Sequence, residues 1–268
     1  MGQHVVGPRR ALVVAAAVGT AGLLLAACGT ASTPTTPSQN PNPTPSVGTV
    51  FDKAVPADVA HLPLVDQDGQ TVTLASFAGK TVVLADFLTL CQEICPLTSA
   101  NLAQVQAAVQ KSGASKQVEI LEVTVDPQRD TPQRLAAYQK LFGAHPNWSF
   151  LTGSPAQVAA LWKAFGVEYE KDVGSTQGPA PRDWMTGKPV TYDVSHQDAV
   201  FILGPDGHEK WVTLGNPDVT SPDTLPSTLT DYLNDEGQAN LASPPAGSWT
   251  AADVEQALAY VTKHPVGQ

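Results

Sequence analysis

Residues 50–236 of this 268-residue chain encode an open α/β sheet covered by helices, a mixed sheet flanked on its faces. Two mostly apolar, β-branched runs of buried-strand length, 81–88 and 117–125, flank a stretch whose apolar residues recur at helical spacing. Two dipeptides, Thr131-Pro132 and Ser154-Pro155, open further helices. In each, the hydroxyl caps an unpaired N–H, and proline lacks the N–H that a first turn cannot bond. A third apolar run, 199–203, is followed by Gly204-Pro205-Asp206-Gly207 and then 209–214, which is two strands joined by a turn.

The elements follow in chain order. Leu97, Leu102, Val105 and Val109 share one face of a helix over 97–110, which with its flanking strands makes a β-α-β unit. The second helix runs from Thr131-Pro132 through Phe142, and the third carries Val158, Leu161, Trp162 and Phe165. Residues 171–195 break the pattern with Gly, Pro and Ser and read as a long insertion loop. A last core helix is expected over 222–233. Residues 237–268 form a C-terminal extension, a Pro-rich stretch and then a short helix capped by Thr250 and bearing Val254, Leu258 and Val261. The sequence leaves open whether this extension docks on the domain or hangs from it.

Composition narrows the class. A hydrophobic content of 42% excludes a wholly disordered chain, while 23 prolines and 21 glycines place part of it in linkers. With 15 Lys+Arg against 25 Asp+Glu the net charge is −10, and no basic block stands out. Phosphate neutralisation needs clustered cations, so nucleic acid is excluded as a partner. Three cysteines, Cys28, Cys91 and Cys95, are too few for a disulfide scaffold.

The N-terminus carries targeting information. Arg9 and Arg10 precede an uncharged stretch over 11–26, shorter than a membrane span, and Leu25-Ala26-Ala27-Cys28 follows. Residues 1–27 are a signal peptide, and the tetrad resembles a bacterial lipobox, which implies cleavage before Cys28 and lipid attachment to its thiol. Adjacent arginines leave both the general and the twin-arginine export routes open. Residues 28–49 are rich in Pro, Ser and Thr without a charge, a tether reaching about 60 Å at roughly 3 Å per residue. The expected location is the extracytoplasmic face of the cell membrane, anchored by lipid.

Chemistry is expected at Cys91-Gln92-Glu93-Ile94-Cys95-Pro96, which lies after a buried strand and before a helix. Open α/β sheets gather ligands there, and a helix N-terminus favours thiolate. Three readings stand side by side: a structural disulfide, a redox dithiol, and a soft-metal site wanting a further ligand. His196 is placed for the last of these, directly before the strand at 199–203. An isolated histidine there is by itself as compatible with a structural role.

Cys91-x3-Cys95-Pro96, the run Val125-Asp126-Pro127-Gln128-Arg129-Asp130-Thr131-Pro132, and a lone histidine ahead of Phe201-Ile202-Leu203-Gly204-Pro205-Asp206-Gly207 together resemble the Sco (SenC) family. The resemblance runs from about residue 55 to 233. It implies a thioredoxin-like fold, copper as Cu(I) or Cu(II) at Cys91, Cys95 and His196, and a place in cytochrome c oxidase assembly. Gln92 and Glu93 stand where the family often has Pro and Asp, which frees the loop between the cysteines.

On this resemblance the chain is a monomeric, membrane-anchored metallochaperone that delivers copper to the dinuclear centre of oxidase subunit II, the copper donor being left open. The alternative is a thiol-disulfide oxidoreductase that reduces the cysteines of that centre without carrying copper. There Cys91 and Cys95 are catalytic, with Cys91 attacking and Cys95 resolving.

Overall fold

The computed structural model describes residues 42–174 and 180–266. The signal peptide at 1–27, the lipidation site Cys28 and the tether up to residue 41 lie outside the described residues. All the described residues belong to one compact unit, 39–268.

The centre of the sheet is built from the apolar runs. Strand β4 (Thr81–Phe87) and strand β5 (Val118–Thr124) are buried along their whole length and pair in parallel, Asp86 beside Val123. Both faces of such strands are covered, which is why they show no polar alternation. Numbering the other strands in chain order, β1 (Thr49–Ala54), β2 (Leu64–Asp66), β3 (Thr71–Val72), β6 (Trp148–Thr152), β9 (Ala199–Leu203) and β10 (His208–Leu214) complete an eight-stranded mixed sheet ordered β1-β10-β9-β4-β5-β6-β2-β3. Strands β4, β5 and β6 are parallel, and β9 and β10 form an antiparallel hairpin on the other side of β4. A β-α-β unit with an antiparallel hairpin added beside its first strand is the thioredoxin-like arrangement.

The helices begin where their capping residues stand. After a single turn α1 (Ala57–Ala60), helix α2 (Cys95–Lys111) starts with Pro96 in its first turn. Thr131 caps α3 (Pro132–Leu141). Ser154 and Gln157 form a reciprocal capping box on α4 (Pro155–Phe165), which ends on Gly166 in the left-handed conformation that glycine adopts without a Cβ clash. Between the layers Trp148, Trp162, Trp211 and Trp249 are fully buried, and Phe150 packs edge to face with Phe87 and with Tyr138.

Several elements differ from what the sequence predicts. The insertion at 171–195 is not simply a loop: β7 (Tyr169–Asp172) pairs antiparallel with β8 (Asp193–His196) as a separate two-stranded ribbon. Its residues are mostly exposed and polar, so no apolar alternation announces them. Strand β6, between two helical patterns, is not announced by the sequence either.

The helix expected over 222–233 is broken into a 3₁₀ turn at Pro222–Thr224 and a single turn α5 (Ser227–Thr230), because Pro226 withholds the N–H that a continuous helix would need. A further helix, α6 (Asp235–Ala242), straddles residue 237. Finally, the extension is docked. Its helix α7 (Ala251–Thr262) buries Val254, Ala257 and Leu258 against the core and packs along α2, while Asn101 of α2 donates to the Trp249 carbonyl at 3.4 Å.

Residues 42 and 47, expected to belong to the tether, are pinned to the domain. Trp211 Nε1 donates to the Val47 carbonyl at 2.9 Å, and Asn42 donates to the Ala259 carbonyl at 2.7 Å.

Candidate metal centre

The carboxyl end of β4 leads through Leu88-Thr89-Leu90 to Cys91, and α2 opens on Cys95. Both thiols are free and buried. The Cys95 backbone N–H points at Cys91 Sγ, 3.4 Å away, so the first turn of the helix holds the two sulfurs together.

His196 arrives from the far side. The β4–β9 register pairs Ala85 with Val200, and this places the turn before β9 against the end of β4. There Asp86 Oδ1 accepts from the Ala199 N–H at 2.8 Å, and Asp86 Oδ2 meets His196 Nδ1 at 2.5 Å. With Nδ1 committed to a carboxylate, Nε2 is aimed at the thiols and lies 3.1 Å from Cys95 Sγ. The two sulfurs and the ring nitrogen all lie within 4.8 Å of one another.

Charge follows geometry. A hydrogen bond with Cys95 lowers the Cys91 thiol well below its usual value; burial opposes this and His196 reinforces it. Burial and the neighbouring Cys91 sulfur push Cys95 well up. At His196 burial works against the imidazolium, but the charge and hydrogen bond of Asp86 prevail and hold the ring's value well above normal. These shifts favour charge on Cys91 and on His196 and disfavour it on Cys95.

Such a site can act in two ways. A lowered Cys91 thiol is a nucleophile with a resolving partner four residues on. Two soft sulfurs and an imidazole oriented by a carboxylate are also a donor set suited to a thiophilic metal, with the carboxylate fixing the ring tautomer. An open cleft of about 1140 Å³, lined by Lys163, Glu168, Tyr169 and Ser195 among others, reaches His196 but neither cysteine.

A second group of potential ligands, Asp52, Asp206 and His208, is of another kind. It is solvent-exposed, and Lys210 Nζ lies 2.9 Å from Asp52 and 2.8 Å from Asp206, where a cation would sit.

The structure brings together Cys91, Cys95 and His196. Asp130, in the run 125–132, supports the approach to the site. Thr131 caps α3, whereas Asp130 is buried and accepts from the Thr89 N–H at 3.1 Å and from the hydroxyls of Thr89 and Thr124, both at 2.5 Å. Burial raises its carboxyl to about 6 against these hydrogen bonds.

Residues 183–192 of the insertion are held against the site. Trp184 Nε1 donates to the Thr89 carbonyl at 2.7 Å, Arg134 pairs with Asp183, and Tyr192 donates to Asp126 at 2.9 Å with Arg129 over its ring. Of the supporting residues, Asp86 had a sequence signal, an acid inside an otherwise apolar strand. Trp184 and Asp183, on an irregular segment, had none.

A buried dithiol with an imidazole, set beyond the strand ends of a thioredoxin-like sheet, defines a thioredoxin-fold protein with a redox or soft-metal centre. The SCO1/SenC family model matches residues 56–234, and the chain belongs to that family. It is 34% identical over 144 residues to "Protein SCO2 homolog, mitochondrial" of Bos taurus, covering 54% of this chain and 49% of that protein. It is 33% identical over 147 residues to "SCO1 protein homolog" of Bacillus subtilis, covering 53% and 66%. The chain thus spans about half to two thirds of the length of these relatives. Among solved structures, Arabidopsis thaliana ScoI with copper bound aligns with a TM-score of 0.47 at 27% identity, covering 69% of this chain and 94% of that one.

Proposed function

We propose that the chain binds one copper ion through Cys91, Cys95 and His196 and serves in the assembly of cytochrome c oxidase. The observation that carries this reading is the convergence of three donor atoms within 4.8 Å, with Asp86 holding the distal ring nitrogen of His196. Thiolates select Cu(I) and imidazole suits either oxidation state, so the donor set fits the metal. Copper held by both sulfurs and Nε2 would require those three atoms to be unprotonated, and Asp86 would keep the ring in place.

The finer parts of the proposal are a lipid anchor on Cys28, a location on the extracytoplasmic face of the membrane, a monomeric state, and delivery to the dinuclear copper centre of oxidase subunit II. Thiol-disulfide exchange is the second reading, favoured by the opposed shifts of the two thiols, Cys91 down and Cys95 up. Anaerobic titration of the reduced chain with Cu(I) and Cu(II) tests the choice. The metallochaperone binds one equivalent when reduced and essentially none when the cysteines are joined, since a disulfide removes two ligands. Equal uptake by the two forms would move the site elsewhere.

A further inference from the structure

The loop between the two cysteines consists of Gln92, Glu93 and Ile94. It contains no proline to stiffen it, but Tyr232 and Asn234 make three hydrogen bonds to Gln92 and Glu93. The Asn234 N–H donates to the Gln92 carbonyl at 3.0 Å, and Asn234 Nδ2 donates to Glu93 Oε1 at 2.9 Å. Gln92 Nε2 donates to the Tyr232 carbonyl at 2.7 Å, and the Tyr232 hydroxyl donates to the Leu90 carbonyl at 3.2 Å. Asn234 is at the same time the cap of α6, its Oδ1 accepting the Gly237 N–H at 2.8 Å.

Gly237 itself touches the loop. A Cβ at that position would fall 2.2 Å from the Gln92 carbonyl oxygen and 3.1 Å from Glu93 Cα, so only glycine permits the approach. The family match ends at residue 234, and α6 lies beyond it.

We propose that Asn234 and Gly237, at the start of α6, are positioning residues for the dithiol, acting through Gln92 and Glu93 to fix the spacing of Cys91 and Cys95. Two independent contacts converge on the loop: a side chain that caps its own helix with one atom and grips Glu93 with another, and a close approach that any side chain would block. By holding the loop in the conformation with both thiols free, the clamp favours the reduced pair and keeps its sulfurs ready for a ligand. The metal side of this inference rests on the copper reading above; the redox side does not.

The test is Asn234→Asp in the full chain. Aspartate caps a helix as well as asparagine does, so α6 keeps its start, but the donor to Glu93 is replaced by a like charge. The readout is the equilibrium with glutathione, in which the two thiols pass two electrons and two protons to oxidised glutathione, giving the Cys91–Cys95 disulfide and two reduced glutathiones. The variant should favour the disulfide at least tenfold more than the parent, a fall of about 30 mV for a two-electron couple, with the thermal midpoint of the oxidised form unchanged.

Adding Glu93→Gln to that variant exchanges donor and acceptor and should return the equilibrium to the parent value, a rescue that a merely structural defect would not show. Gly237→Ala should move the equilibrium in the same direction and shift the thiolate-to-Cu(II) absorption band. A parent-like glutathione equilibrium in Asn234→Asp overturns the proposal, whether or not Gly237→Ala folds. If the parent takes up no copper, the function proposed above fails while the glutathione equilibrium still decides the clamp.

Discussion

Asp86 and His196, 110 positions apart in sequence, meet at 2.5 Å between Oδ2 and Nδ1, and the same carboxylate accepts the Ala199 N–H with its other oxygen. One buried acid thus fixes both the orientation of the ring and the turn that delivers it.

Asp86→Asn keeps the acceptor for Ala199 but presents an amide donor to Nδ1, which drives the ring proton to Nε2, the atom aimed at the thiols. Loss of such a partner costs about 10- to 100-fold in metal affinity. Competitive Cu(I) titration of this variant should show a fall in that range. The thiolate absorbance of Cys91 should appear at higher pH than in the parent, because the imidazolium that supports it is weakened.

His196→Ala separates the two functions. Copper affinity should fall by at least about tenfold while the dithiol still reduces a disulfide substrate. Unchanged copper binding in this variant would remove His196 from the ligand set.

The two cysteines should differ in reactivity. Cys91 is lowered by its hydrogen bond with Cys95 and by His196, and Cys95 is raised by burial. Brief alkylation of the reduced, metal-free chain near neutral pH should therefore label Cys91 first. Peptide mass spectrometry checks it, and preferential labelling of Cys95 would reverse the assignment of the attacking sulfur.

Glu122 makes stability fall as pH rises. It is buried between Ser99 and Trp148, which donate to it at 2.7 and 3.0 Å, and burial raises its carboxyl from 4.5 to about 8. The folded state keeps a proton that the unfolded chain releases, so the contribution is complete below about pH 4.5 and is lost toward pH 8. Within that window the loss is about 1.4 kcal/mol per pH unit. Glu122→Gln should flatten this part of the profile in urea unfolding, gaining on the parent as pH rises.

Leu258→Ala tests the docked extension. Leu258 is fully buried on α7, which packs along the helix that carries Cys95. Truncation should cost about 2–5 kcal/mol in chemical denaturation, as for a core leucine. A change below about 0.5 kcal/mol would mean that the extension contributes no core.

The sequence by itself determined the elements whose signals are local. The apolar runs of β4, β5 and β9, the Ser/Thr-Pro starts of α3 and α4, and the turn at Gly204–Gly207 are set by side-chain period, capping and backbone freedom within a few residues. The pairing of Cys91 with Cys95 was legible for the same reason, because a short turn into a helix brings two cysteines four positions apart to one point.

Partnerships between distant segments were decided only by the tertiary structure. The strand register put Asp86 under His196, and docking of irregular segments put Trp184 over Thr89 and Asn234 and Gly237 against the inter-cysteine loop. Ribbon β7–β8 and helix α6 stayed hidden because they carry little apolar pattern of their own; they are held by hydrogen bonds and close approach to surfaces that exist only after the sheet has formed.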